Sequence, residues 1–203
     1  MKKAVKSRPS PESQSPAERI VATATRLFES QGYAATGINQ IIAESKTAKA
    51  SFYDHFPSKE LLGKEYLARY GTSHLALIRT LMQRSGSPED FIRSWVRILK
   101  RQLKLHKFYG CPMSNLRAQT ADSSPLLKTA VKDLADSTIE LIASYIRTAN
   151  PGGLFAAQKT ATLAARRIFS AYEGAIHIWQ LTGDEAALDD IGFMAEQVLK
   201  SRD

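Results

Sequence analysis

The sequence predicts an all-α protein of about nine helices in two unequal groups. No run of alternating β-branched residues appears anywhere in the 203 residues. Apolar residues recur at three- and four-residue spacing, and Pro, Gly and Ser punctuate the chain at intervals suited to helices. Apolar residues make up 43% of the chain, and no uncharged apolar run nears the roughly 20 residues that span a bilayer, so a soluble protein is expected.

Residues 1–15 combine Pro, Ser and four basic residues with almost nothing to bury, and are expected to form a disordered basic arm. The segment Pro9-Ser10-Pro11-Glu12 falls where a secretory signal would need an apolar stretch, which points to a cytoplasmic location. A first helix over 16–31, closed by Gly32, buries Ile20, Ala24, Leu27 and Phe28. Thr36 stands where it would N-cap a second helix over 37–44; a third covers 48–54, and Ser58 caps a fourth reaching about Gln83. Gly86-Ser87-Pro88 opens a helix to 107. After Tyr109-Gly110-Cys111, Pro112 starts a short helix to 120. Asp122 to Pro125 opens a helix over 125–148, ended by Asn150-Pro151-Gly152-Gly153. A long helix over 155–181 ends at Thr182-Gly183, and the last covers 184–201.

The stretch from Thr36 to Glu60 reads as two short helices joined by a tight turn, the second lined with small, polar and basic residues. Such a helix can enter a major groove deeply, because nothing holds its backbone away from the base edges. Ile38, Ile41, Ile42 and Phe52 face a small core shared with the first helix, which leaves Thr47, Lys49, Ala50 and Ser51 toward DNA. Lys46 sits in the turn, where it either bears the roughly 1 kcal/mol that a left-handed backbone costs a non-glycine residue or alters the turn slightly. It also sets a cation beside the DNA backbone.

The ordered set Glu18–Phe28, Gly32-Tyr33, Thr36, Ala48-Lys49-Ala50-Ser51-Phe52-Tyr53-Asp54-His55-Phe56 and Ser58-Lys59-Glu60 resembles the N-terminal DNA-binding domain of TetR-type one-component transcriptional regulators. The two departures are Lys46 and Thr47, where the pattern has Gly then Val. The resemblance implies a DNA-binding domain over 16–76 with its helix-turn-helix at about 37–56, followed over 77–203 by an effector-binding and dimerisation domain. It further implies a repressor released from a palindromic double-stranded operator by a small molecule. The candidate DNA contacts are Thr36, Lys46, Thr47, Ala48, Lys49, Ala50, Ser51, Tyr53, His55 and Lys59, with Tyr53 and His55 toward phosphates.

The net charge of +8 suits a polyanion partner but is spread evenly: residues 1–76 carry 11 basic and 7 acidic side chains, residues 77–203 carry 17 and 13. In the second half, Tyr66, Tyr70, His74, Trp95, Phe108, Cys111, Tyr145, Phe169, Tyr172, Glu173 and His177 are the candidate effector pocket, since aromatic and polar groups converge where a bundle holds a small molecule. The apolar positions Ile168, Tyr172, Ala175, Ile176, Trp179, Leu188, Ile191, Met194 and Val198 of the last two helices are the candidate homodimer interface. Cys111, the single cysteine, precedes Pro112 at a helix start, where the dipole favours thiolate. Its Gly-Cys pair is similar to a C-terminal subclass of the same family in which some members respond to electrophiles or oxidants. No phosphate-binding loop, paired carboxylates or oriented nucleophile suggests an enzyme, and the four histidines lack metal-ligand spacing, so no cofactor or metal is expected.

Overall fold

Serine and proline set where the helices begin. The computed structural model describes residues 14–120, 123–149 and 153–200, and among these it contains nine α helices and no strand. Most of the expected arm, residues 1–13, lies outside the described residues. Helix α1 (Pro16–Ser30) starts on Ser15, whose hydroxyl accepts from the Glu18 N–H at 3.3 Å while its own N–H donates to the Glu18 carboxylate at 2.8 Å. Then follow α2 (Ile38–Glu44), α3 (Lys49–His55), α4 (Lys59–Arg84) and α5 (Pro88–Lys104). The last four are α6 (Pro112–Thr120), α7 (Pro125–Ala149), α8 (Gln158–Thr182) and α9 (Asp190–Lys200). The hydroxyls of Ser58, Ser87 and Ser124 each accept from an N–H three residues on, at 3.1 Å, and fix the starts of α4, α5 and α7.

Three expected boundaries shift. α5 ends at Lys104 rather than 107 because His106 takes a left-handed conformation (φ +51°) that folds the Lys107 N–H back onto the Gln102 carbonyl. α8 begins at Gln158 rather than 155. The expected last helix is split: Glu185–Asp189 is a 3-10 turn capped by Asp184, and only then does α9 begin.

The chain forms two compact units, one up to Tyr66 and one from Leu67 on, so the division lies within α4 and before the expected residue 76. The core of the first unit is Ile20, Val21, Ala24, Leu27, Phe28, Ile41, Phe52, Leu62 and Tyr66, with Tyr33, Ile38, Ile42 and Phe56 packed against it. In the second, α7 packs on α8, α8 on α9 and α5 on α9, around fully buried Ile142, Ile168, Leu188 and Ile191. Among the described residues no helix is long and apolar enough to cross a membrane.

Candidate nucleic-acid interface and the aromatic interior

Helices α2 and α3 are joined by four residues, Ser45 to Ala48, and the turn is made by Lys46 at φ +53°. Lys46 therefore bears the left-handed cost itself. The Lys46 N–H donates to the Ala43 carbonyl at 3.2 Å and the Thr47 N–H to Ile42 at 3.3 Å, which closes α2. Ser45 and Thr47 share a hydroxyl hydrogen bond of 2.7 Å. Arg19, from α1, donates through Nε to the Ser45 carbonyl at 3.2 Å and so ties the turn to the first helix. No sequence pattern marks Arg19 for this role, because its partner is a backbone carbonyl 26 residues away.

Helix α3 buries one side chain completely. Phe52 is 0% exposed, held edge-on by Tyr53 at 5.3 Å and near Phe56 at 6.4 Å. Lys49, Ala50, Tyr53, Asp54 and His55 face solvent, as do Lys46 and Ala48 just before them; Thr47 and Ser51 are half-buried. Two of the expected contacts are instead engaged within the unit. Thr36 is buried, its hydroxyl donating to the Gly32 carbonyl at 2.7 Å and accepting from Gln31 at 3.2 Å. It does not cap α2, whose N-cap is Gly37 with no side-chain hydrogen bond. A hydroxyl already committed to the loop before α2 cannot also reach the helix. Lys59 is half-buried, its ammonium 4.4 Å above the Tyr33 ring and 3.4 Å from the Ala34 carbonyl, and burial lowers its pKa. The same packing, with the Glu60 charge added, pushes the Tyr33 phenol up to about 12.

In the second unit seven rings form one chain of contacts. Tyr70 stacks on His74 at 5.2 Å, His74 lies 6.3 Å from Trp95, and Trp95 stacks on Tyr172 at 4.4 Å. Phe91 joins Trp95 and Tyr145, each at 5.6 Å, and Phe169 joins Tyr172 at 5.8 Å. Three expected pocket residues stand apart. Tyr66 belongs to the first unit's core, set edge-on to Phe28 at 5.5 Å; Phe108 stacks on Trp179 at 5.2 Å instead; His177 is solvent-exposed.

Cys111 corrects a further expectation. Its thiol is 1% exposed, and burial together with the adjacent Glu173 carboxylate raises its pKa, opposite to the lowering expected from its place before α6. The backbone N–H groups of Met113 and Ser114 act the other way and lose to desolvation. The preceding glycine is required. Gly110 has φ +98°, and a Cβ there would sit 2.2 Å from Gln180 Nε2, which donates to the Tyr109 carbonyl at 3.2 Å.

The apolar positions of α8 and α9 expected to meet another subunit are largely turned inward. Ile168, Tyr172, Ala175, Ile176, Leu188 and Ile191 are buried within the chain itself, while Trp179 and Val198 are half-buried and Met194 is exposed. A different outward set exists. Ile178 and Leu181 of α8 are 49% and 69% exposed, and Phe193 of α9 is 67% exposed. On the same side of α8, Gly174 would meet nothing within 4 Å if it carried a Cβ.

Residues 20–66 match the sequence family described as "Bacterial regulatory proteins, tetR family", and residues 88–194 match "Transcriptional regulator LmrA/YxaF-like, C-terminal domain". The chain belongs to the TetR family. This TetR-family chain is 38% identical over 114 residues to the uncharacterized transcriptional regulator YxaF of Bacillus subtilis, covering 55% of itself and 60% of YxaF. It is 36% identical over 119 residues to the Bacillus subtilis regulator LmrA, covering 56% and 61%. The chain thus spans about 60% of the length of these relatives. It is 28% identical over 131 residues to the Escherichia coli transcriptional repressor NemR, covering 64% and 66%. Among solved structures, a TetR regulator from Legionella pneumophila superposes with a TM-score of 0.77 at 25% identity, covering 92% of this chain and 98% of that one. The reduced form of Escherichia coli NemR has the same fold, with a TM-score of 0.74 at 20% identity over 91% and 97%.

Proposed function

We propose that this chain is a cytoplasmic, sequence-specific DNA-binding repressor that holds a palindromic operator as a homodimer and is released by a small-molecule effector. One observation carries the DNA reading. Helix α3 commits only Phe52 to the core and leaves Lys49, Ala50, Tyr53 and His55 in solvent beside Lys46. A helix with so little to bury has its remaining surface free for a groove, where small residues allow close approach and cations meet phosphate. Lys59, expected at phosphate, is instead engaged with the Tyr33 ring and is left out of this surface. The names of relatives agree, since LmrA is a transcriptional regulator and NemR a transcriptional repressor.

The homodimer reading rests on large apolar side chains that α8 and α9 leave exposed, above all Ile178 and Leu181 of α8. Isolated exposed apolar residues need no explanation, but Ile178 and Leu181 lie four and seven residues along α8 from a mid-helix glycine, Gly174. Gly174 costs α8 about 1 kcal/mol relative to Ala and relieves no internal contact, so close approach of a partner helix accounts for it. The effector reading rests on the ring cluster around Trp95 rather than on Cys111, whose buried, protonated thiol is not a poised nucleophile. Selection from random duplex DNA tests the whole reading. Enrichment of two inverted half-sites, lost in Lys49→Ala and Tyr53→Ala, is expected; recovery of no common sequence would reject it.

A further inference from the structure

Helices α5 and α9 leave between them an open groove of about 660 Å³, within the range of a small-molecule site. It lies in the second unit, and none of the rings clustered around Trp95 lines it. Its α5 wall is strongly basic. Arg93, Arg97, Lys100, Arg101 and Lys104 recur at three- and four-residue spacing, which sets them on one face of the helix. The opposite wall adds two carboxylates, and both are already engaged. Asp189 holds Lys100 at 2.7 Å, and Glu196 meets Arg93 at 3.5 Å and Lys200 at 3.3 Å.

Five cations against two carboxylates leave the groove with an excess of three positive charges. Arg97, Arg101 and Lys104 make no ion pair among the described residues. Like charges three and four residues apart destabilise a helix, so this run opposes α5 unless an anion sits against it. The rest of the lining is apolar or empty. Val96 is buried, Phe193 is 67% exposed, and a Cβ on Gly192 would meet nothing within 4 Å. Phe193 therefore belongs to this groove, and the dimer reading stands on Ile178 and Leu181 without it. An exposed ring beside uncompensated guanidinium groups matches a ligand with an apolar body and a negative head, and the charge excess repels a cation. Guanidinium groups also suit a carboxylate in particular, since each can present two parallel N–H donors to it.

We propose that the groove between α5 and α9 binds an amphipathic organic anion, a carboxylate carrying an aromatic or aliphatic body. The carboxylate accepts from Arg97 and Arg101, which stand one turn apart on α5. The body lies against Phe193 and fills the space beside Gly192. This site goes beyond the repressor reading and does not rest on it.

Calorimetric titration of the full chain with three probes tests both halves of the ligand: 2-naphthoate, 2-naphthamide (the same body without charge) and acetate (the charge without a body). 2-Naphthoate is expected to bind with a Kd below about 1 mM and at least about tenfold more tightly than either of the others. Arg97→Gln/Arg101→Gln changes two exposed side chains, and should weaken 2-naphthoate by at least about tenfold and erase its advantage over the amide. Gly192→Leu improves helix propensity while filling the groove, and should weaken 2-naphthoate by about tenfold with circular dichroism unchanged. Lys159→Gln/Arg166→Gln removes the same charge from exposed positions of α8 outside the groove, and should change the affinity by less than about twofold. The proposal is overturned if the amide or acetate binds as tightly as 2-naphthoate, or if either groove variant binds it like the wild type. It is equally overturned if the α8 control weakens binding as much as Arg97→Gln/Arg101→Gln does. A change of sedimenting mass in Phe193→Ser would assign the groove to a second copy of the chain and overturn it too.

Discussion

Acid should destabilise this protein through one buried imidazole. His74 is 7% exposed, stacked on Tyr70 and near Trp95, and its pKa falls to about 4 from the ordinary 6.5 because burial disfavours the charged form. The unfolded chain takes up a proton as pH drops through 6.5, while the folded one waits until about 4. Between those values the unfolded state binds more protons, so stability falls as pH falls. At about 1.36 kcal/mol per pH unit the whole gap amounts to roughly 3 kcal/mol, of which about 2.5 is lost by pH 4.5. His74→Phe removes the titrating group and retains a ring to stack on Tyr70. Urea unfolding followed by circular dichroism, on both proteins from pH 7.5 to 4.5, isolates this contribution from every other titration. The wild type should lose about 2–3 kcal/mol more than the variant across that range. A difference constant within about 0.5 kcal/mol would show that His74 is protonated in the folded state or is not buried.

Neighbouring residues of α3 should separate stability from binding. Phe52→Ala empties a fully buried site and should cost about 3–5 kcal/mol by urea unfolding, whereas Tyr53→Ala, 40% exposed, should cost under about 1 kcal/mol and still weaken DNA binding. Ile178→Asp with Leu181→Asp should give a folded monomer by sedimentation equilibrium, while an unchanged oligomer would place the interface elsewhere. The thiol of Cys111 should react with N-ethylmaleimide at least about 100-fold more slowly in the folded chain than in urea, as mass spectrometry would show; rapid alkylation with release of DNA would restore the thiol as a sensor.

Local chemistry was the legible part of this molecule. Ser58, Pro88, Pro112, Pro125 and Gly183 mark helix ends by what their own backbones and hydroxyls can do, and the helices begin or end there. The left-handed turn at Lys46 was expected only from the resemblance, whose pattern has glycine there, and Lys46 takes it at φ +53° rather than altering the turn. Thr36 misleads because a capping residue type one position before Gly37 looks like a cap, and only the fold reveals that its hydroxyl faces inward onto Gly32. His106 closes α5 without glycine, so no sequence signal announced it.

The two sites differ in how they are encoded. The α3 surface is contiguous in sequence, so exposure of Lys49, Tyr53 and His55 followed from burial of Phe52. The interior of the second unit is assembled from α4, α5, α7 and α8, and residue type alone could not separate Trp95 and Tyr172 from Tyr66, Phe108 or His177. The same applies to α8, where an apolar stripe at helical spacing fits an inner face as well as an interface. Cys111 shows the limit of a local rule, because burial beside Glu173 outweighs the favourable backbone N–H groups at the start of α6.

The salt dependence of operator binding tests the role of α3 most directly. On a duplex recovered by selection, the wild type and the Lys46→Ala/Lys49→Ala double variant are titrated from about 50 to about 300 mM salt, a range over which the slope of log K against log salt reports the phosphates neutralised. Two lost phosphate contacts should weaken binding and make the slope of log K against log salt shallower by about two, with circular dichroism unchanged. Equal affinity and equal slope for the two proteins would contradict the assignment of this surface to DNA.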